Sequence, residues 1–158
     1  MIDATTAKAL VGLGAIAAFG ISAAGSAVGC GLAAASAIGS WKRCYAHGKP
    51  APFQLTIFAG VAMTQTIYGL ILMLQVLKMQ ASLWPAALAV GVLGGLGIGT
   101  SAIYQGRAAA GACDSFSETG QGFANNLIAL GVVETIAIFT MVFAMMFLNN
   151  LTASVAAL

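Results

Sequence analysis

Glu134 stands in an apolar run, flanked by Val132, Val133, Ile136 and Ile138, and is the residue best placed to do chemistry. An ionised carboxylate at the centre of a membrane helix costs about 3 kcal/mol or more, so such a group is either neutralised by a neighbouring helix or used. The use open to it is to capture and release a cation or a proton. Polar residues lie at comparable depth in two other apolar runs. Thr64 and Tyr68, at i and i+4, share one helical face, with Gln65 about 100° around the helix from Thr64. Gln105 is the corresponding polar residue of the next run. A proton carrier needs only a carboxyl group in an adjustable environment. A hard metal cation needs several oxygens in place of its water shell, a rule for calcium and magnesium that extends to sodium. Thr64 Oγ, the amide oxygens of Gln65 and Gln105, and a Glu134 carboxylate oxygen supply such a set. The backbone carbonyl near Val61, one turn before Gln65, adds another. Tyr68 is placed to donate its hydroxyl proton to the carboxylate and hold its orientation. Taken singly, each polar residue reads as a hydrogen bond between helices. Their joint occurrence with Glu134 favours an ion site.

The elements that position these residues follow from composition. Of 158 residues, 60% are hydrophobic and 6% charged, where a soluble protein carries about a quarter of its residues charged. A formal charge of +2, dispersed along the chain, excludes a nucleic-acid face. Apolar stretches run from about Ala7 to Trp41, Phe53 to Leu77, Trp84 to Cys113 and Phe123 to Leu148, each long enough to cross a bilayer as a helix. Pro50, Pro52 and Pro85 all fall between or at the start of these spans, so none interrupts a helix. The first connection carries Lys42, Arg43, His47 and Lys49, and the second has only Lys78 beside it. The positive-inside rule then predicts a cytoplasmic first connection and both termini outside. The third connection, with Asp114 and Glu118, returns to the cytoplasm. The first stretch has the small residues of a secretory signal but no clear basic flank, since Asp3 offsets Lys8. Cys30, Cys44 and Cys113 have no metal-like spacing and read as small packing residues.

An internal repeat organises the spans. GSAVGCGLAAAS at Gly25 to Ser36 matches TSAIYQGRAAAG at Thr100 to Gly111 at six of twelve positions, offset by 75. MTQTI at Met63 to Ile67 overlies VVETI at Val132 to Ile136, offset by 69. The reading is an all-α membrane protein of four transmembrane helices arranged as two tandem hairpins of like orientation, residues 1–78 and 79–158. Fourteen of the twenty glycines lie in the first and third spans. Small residues allow close backbone approach in a membrane, so these two spans are candidates for a packed inner layer. Spans two and four, with Phe53, Phe58, Tyr68, Phe139, Phe143 and Phe147, are then expected to face lipid or a partner. A compact four-helix bundle explains the glycines equally well.

The two glycine-rich hairpins, TQTIYG at Thr64 to Gly69, YQGRAAAG at Tyr104 to Gly111 and VVET at Val132 to Thr135 closely resemble the proteolipid (K or c) subunit of V-type and A-type rotary ATPases. The resemblance covers nearly the whole chain and is strongest to sodium-translocating bacterial members. It implies a sodium site of Thr64, Gln65, Gln105, Glu134 and the Val61 carbonyl, with Tyr68 behind them. Val61 stands where the family has leucine, a small departure because the ligand is a backbone oxygen. The resemblance further implies a homo-oligomeric rotor ring with spans one and three inside. Implied partners are identical subunits, a stator membrane subunit bearing an arginine, central-stalk subunits and the bilayer, in a bacterial cytoplasmic membrane. Such a subunit is no enzyme by itself; its rotation couples Na+ transport to ATP turnover elsewhere in the complex. A proton rotor of the same family is the alternative. Beyond the family stand a tetraspan scaffold and a small proton-coupled transporter.

Overall fold

The computed structural model describes residues 2–157, and among these every regular element is helical. Helix α1 (Ala4–Ala46) begins at Asp3, whose carboxylate accepts from the Thr6 amide at 2.9 Å and the Thr6 hydroxyl at 2.6 Å. These bonds satisfy an orphan amide of the first turn and, the hydroxyl foremost, hold the Asp3 carboxyl below its ordinary pKa. A connection containing Pro50 and Pro52 leads to α2 (Gln54–Gly60), a 3₁₀ turn at Val61–Met63, and α3 (Thr64–Val76). Together α2 and α3 make the second span. A further 3₁₀ turn at Ala81–Leu83 enters α4 (Trp84–Thr119), with Pro85 in its first turn, where its missing N–H costs nothing. The turn into α5 (Phe123–Ala156) uses Gly120 at φ 65° and Gly122 at φ 79°, a left-handed backbone that favours glycine.

Among the described residues, four helical spans are long and apolar enough to cross a membrane, the second of them made of α2, the 3₁₀ turn and α3. They form two parallel hairpins, as the repeat predicts; the first, third and fourth spans are longer than the apolar stretches alone indicated, and the second, Gln54–Val76, is not. The most extensive interface joins α1 to α4, the first helices of the two hairpins, while α3 and α5 pack outside that pair. Glycine makes this contact possible. A Cβ added at Gly14, Gly25 or Gly29 would land on the backbone carbonyl of Ala87, Gly99 or Ala102, so the two backbones touch directly. Serines reinforce the seam: Ser36 donates to the Ala110 carbonyl at 2.8 Å and Ser40 to that of Cys113 at 3.2 Å. At the same end Arg43 of α1 bridges Asp114, at 2.7 Å, and Glu118 of α4, so the first and third connections lie together.

The outer layer departs from expectation at two aromatics. Phe58 does not face lipid or a partner: it is fully buried, 5.5 Å from the Phe123 ring and 6.1 Å from that of Phe116, closing the end of the bundle. Tyr68 is half-buried and turned towards α5. Phe53, Phe139, Phe143 and Phe147 are exposed as expected. All three cysteines are free thiols; Cys44 and Cys113 are buried and Cys30 half-buried.

Candidate functional site

Glu134 lies eleven residues into α5, about 17 Å along its axis. Three donors reach its carboxylate from two other helices. The Thr64 and Tyr68 hydroxyls of α3 donate to Oε1, each at 2.7 Å, and Gln105 Nε2 of α4 donates to Oε2 at 3.2 Å. Among the described residues its partners are all neutral; the ion pairs belong to Arg43 at the end of the bundle. A carboxylate removed from water is therefore stabilised here by dipoles and not by a counter-charge.

The second span breaks where it meets this carboxylate. The sequence predicts one continuous helix there, whereas Val61–Met63 winds as a 3₁₀ turn after Gly60, a weak helix former. The Thr64 hydroxyl that follows this turn lies 3.2 Å from the Val61 carbonyl oxygen, i to i−3. Gln65 Oε1 lies 3.2 Å from the same hydroxyl. Three acceptor oxygens, from Val61, Gln65 and Glu134, thus surround one hydroxyl that has one proton to give. When Thr64 donates to Glu134, its shortest partner, the oxygen of the fully buried Gln65 amide is left without a donor.

Gln65 and Gln105 are both buried and joined, Gln65 Nε2 donating to Gln105 Oε1 at 2.7 Å. Gln105 Nε2 also donates to the Leu130 carbonyl at 3.2 Å. The structure therefore brings Val61, Thr64, Gln65, Tyr68, Gln105 and Glu134 into one hydrogen-bonded network. Gln105 enters it with its nitrogen towards Glu134 and its oxygen towards Gln65. Two contributors have no place in the sequence reading: the Leu130 carbonyl, and Ser101, whose hydroxyl donates to the Val133 carbonyl at 2.8 Å and ties α4 to α5 beside Glu134. Ser101 lies one turn before Gln105 in the repeated block, which was the available signal.

The site thus joins the second hairpin, which supplies the carboxylate and Gln105, to α3 of the first. Residues 88–147 match the ATP synthase C-subunit family. The matched stretch contains Ser101, Gln105 and Glu134 and leaves out Val61, Thr64, Gln65 and Tyr68. The match supports a rotor-ring proteolipid, of a family that forms rings of identical subunits and is structural, not itself catalytic, in a rotary ATPase. No curated protein gives a significant match to the chain.

Proposed function

We propose that this chain is the rotor-ring subunit of a V-type rotary ATPase and carries one Na+ at Glu134. The observation that carries the reading is the crowding of acceptor oxygens from Val61, Gln65 and Glu134 around the single Thr64 proton. Such a cluster lacks positive charge, and a small hard cation held by these oxygens supplies it. Tyr68 stays outside the oxygen cluster and fixes the carboxylate, while rotation of the Gln105 amide adds its oxygen to the ligands. The V-type assignment draws on two hairpins in one chain with an intramembrane carboxylate in only one of them.

The mechanism follows from the cost of charge in lipid. With Na+ bound, Glu134 is compensated and the loaded protein travels past hydrocarbon. Emptied, the carboxylate is expensive there and must meet a fixed cation, the role of the stator arginine. Ions enter and leave beside the stator, and central-stalk subunits link the ring's rotation to ATP turnover. By the positive-inside rule, the basic first connection favours a cytoplasmic stalk-facing end with both termini outside.

The same cluster favours a second reading. A protonated Glu134 can donate to Thr64 Oγ1, freeing Thr64 to donate to Gln65 Oε1, so one proton also completes the network. Carbodiimide labelling of Glu134 in the detergent-solubilised ring, across pH and with or without sodium, separates the two, because the reagent needs the protonated acid. We expect sodium to protect, and protection to weaken as pH falls. Labelling that follows pH but ignores sodium selects the proton rotor, and wild-type labelling no greater than that of Glu134→Gln at every pH rejects the ion site.

A further inference from the structure

Ser26 of α1 is 4% exposed, and its hydroxyl has no hydrogen-bond partner among the described residues. The other buried polar side chains described all have one. Ser22 donates to the Ala18 carbonyl, Ser40 to that of Cys113 and Ser101 to that of Val133, while Gln65 and Gln105 belong to the network around Glu134. An unpaired buried hydroxyl is costly and requires a reason. The repeat sharpens the exception, for Ser26 aligns with Ser101, and Thr64 with Val133. In the second hairpin the serine crosses to the carbonyl of the residue just before Glu134. In the first, Ser26 makes no such bond to Thr64, the residue just before Gln65.

Packing sets Ser26 against Gln65. A Cβ added at Gly69 would land on the Ser22 side chain, and one at Gly29 on the Ala62 methyl, so α1 and the second span run antiparallel with these pairs in contact. Ser26 lies four residues after Ser22 and three before Gly29, and Gln65 holds the matching place between Gly69 and Ala62.

Sodium gives this hydroxyl its use. In the loaded site proposed above, Gln65 and Gln105 both turn their amide oxygens to the ion. In the structure Gln65 Nε2 donates to Gln105 Oε1 at 2.7 Å. Rotating the Gln105 amide puts a nitrogen where that oxygen stood, and two amide nitrogens have no acceptor between them. Gln65 cannot answer by rotating as well, because that withdraws its own oxygen from the ion. Its N–H must find another acceptor, and the unpartnered one across the helix interface is the Ser26 hydroxyl. A serine oxygen can accept while its proton goes to the carbonyl one turn back, the bond that Ser22 already makes to Ala18 at 2.7 Å.

We propose that Ser26 is a positioning residue for sodium: it accepts the Gln65 amide N–H in the loaded site and so holds the Gln65 oxygen on the ion. The inference rests on the sodium reading of Glu134 and brings α1, the one span with no other part in the site, into its support.

Carbodiimide labelling of Ser26→Ala in the detergent-solubilised ring tests it. The substitution removes no existing bond and installs a better helix former. Without sodium, therefore, ring assembly, thermal midpoint and the pH profile of Glu134 labelling should match the wild type. Sodium protection should weaken about tenfold, the low end for losing a group that supports an ion ligand. Undiminished protection overturns the proposal. So does a loss of assembly, a lower midpoint or a shifted pH profile without sodium, each of which marks the serine as merely structural. A structure of the wild-type ring loaded with sodium needs no variant. The Gln65 amide should lie within hydrogen-bond distance of Ser26 Oγ, and a Gln65 amide still bonded to Gln105 and apart from Ser26 overturns the proposal. A wild type that sodium does not protect rejects the sodium reading and this inference with it, whereas equal protection of wild type and Ser26→Ala rejects the role of Ser26 alone.

Discussion

In the proposed site Thr64 governs what the carboxylate can hold, because its one proton is shared among three acceptors while its oxygen is available to an ion. Thr64→Val keeps the shape and removes both functions. Glu134 then retains Tyr68 and Gln105 as donors, so the fold and ring assembly should survive. Sodium protection of Glu134 should weaken about 10- to 100-fold, the range for losing a supporting group at an ion site. Thr64→Ser should restore it; undiminished protection in Thr64→Val would remove Thr64 from the site. The side chains of this site were legible in the sequence because each is a polar group in an apolar run, where polarity demands an explanation. Leu130 was not, since a backbone carbonyl leaves no mark on residue type. Ser101 was hidden because small hydroxyl residues also serve ordinary helix packing in membranes. The orientation of the Gln105 amide is a property of its neighbours, Gln65, Leu130 and Glu134, and no single position encodes it.

At the scale of elements, the spans and their pairing were legible because hydrocarbon thickness sets helix length and glycine marks close contact. The 3₁₀ turn at Val61–Met63 was not: Gly60 marks a weak point, but residue types alone do not say that the helix tightens there, just before the α3 hydroxyls that meet Glu134. Nor does periodicity say which neighbour covers a face. Phe58 reads as an outward aromatic until Phe116 and Phe123, from two other helices, enclose it. The α1–α4 seam yields a sharper test. A Cβ at Gly25 meets the Gly99 backbone, which a side-chain rotation cannot relieve, whereas at Gly39 it meets nothing within 4 Å. Gly25→Ala should destabilise the protein by about 1–3 kcal/mol, the usual cost of overpacking. Gly39→Ala should leave stability nearly unchanged or raise it by up to about 1 kcal/mol through helix propensity. Thermal denaturation in detergent measures both, and equal losses would mean that the helices do not approach as described.

The molecule as a whole is a repeat whose halves have diverged in one decisive place. By the alignment of the two hairpins, Gln65 occupies the position of Glu134, and Cys30 that of Gln105. In the structure Gln65 does not form the centre of a second site. It turns its amide to Gln105 and Thr64 and so becomes part of the surroundings of Glu134. Without a carboxylate at the depth of Glu134, the first hairpin has only neutral dipoles to offer there, and these do not compensate a bound cation in a low-dielectric interior. Each 158-residue chain should therefore bind one sodium ion, although it contains two hairpins. A ring built from such chains moves half as many ions per turn as one with a carboxylate in every hairpin, and so works against a steeper gradient for the same driving energy. Equilibrium binding of radioactive sodium to the purified ring, normalised to the amount of protein, gives the number directly. We expect a single saturable site per chain in the wild type and none in Glu134→Gln. Two ions per chain, or binding that persists in Glu134→Gln, would place a second cation site in the first hairpin and end the assignment of Gln65 to a supporting role.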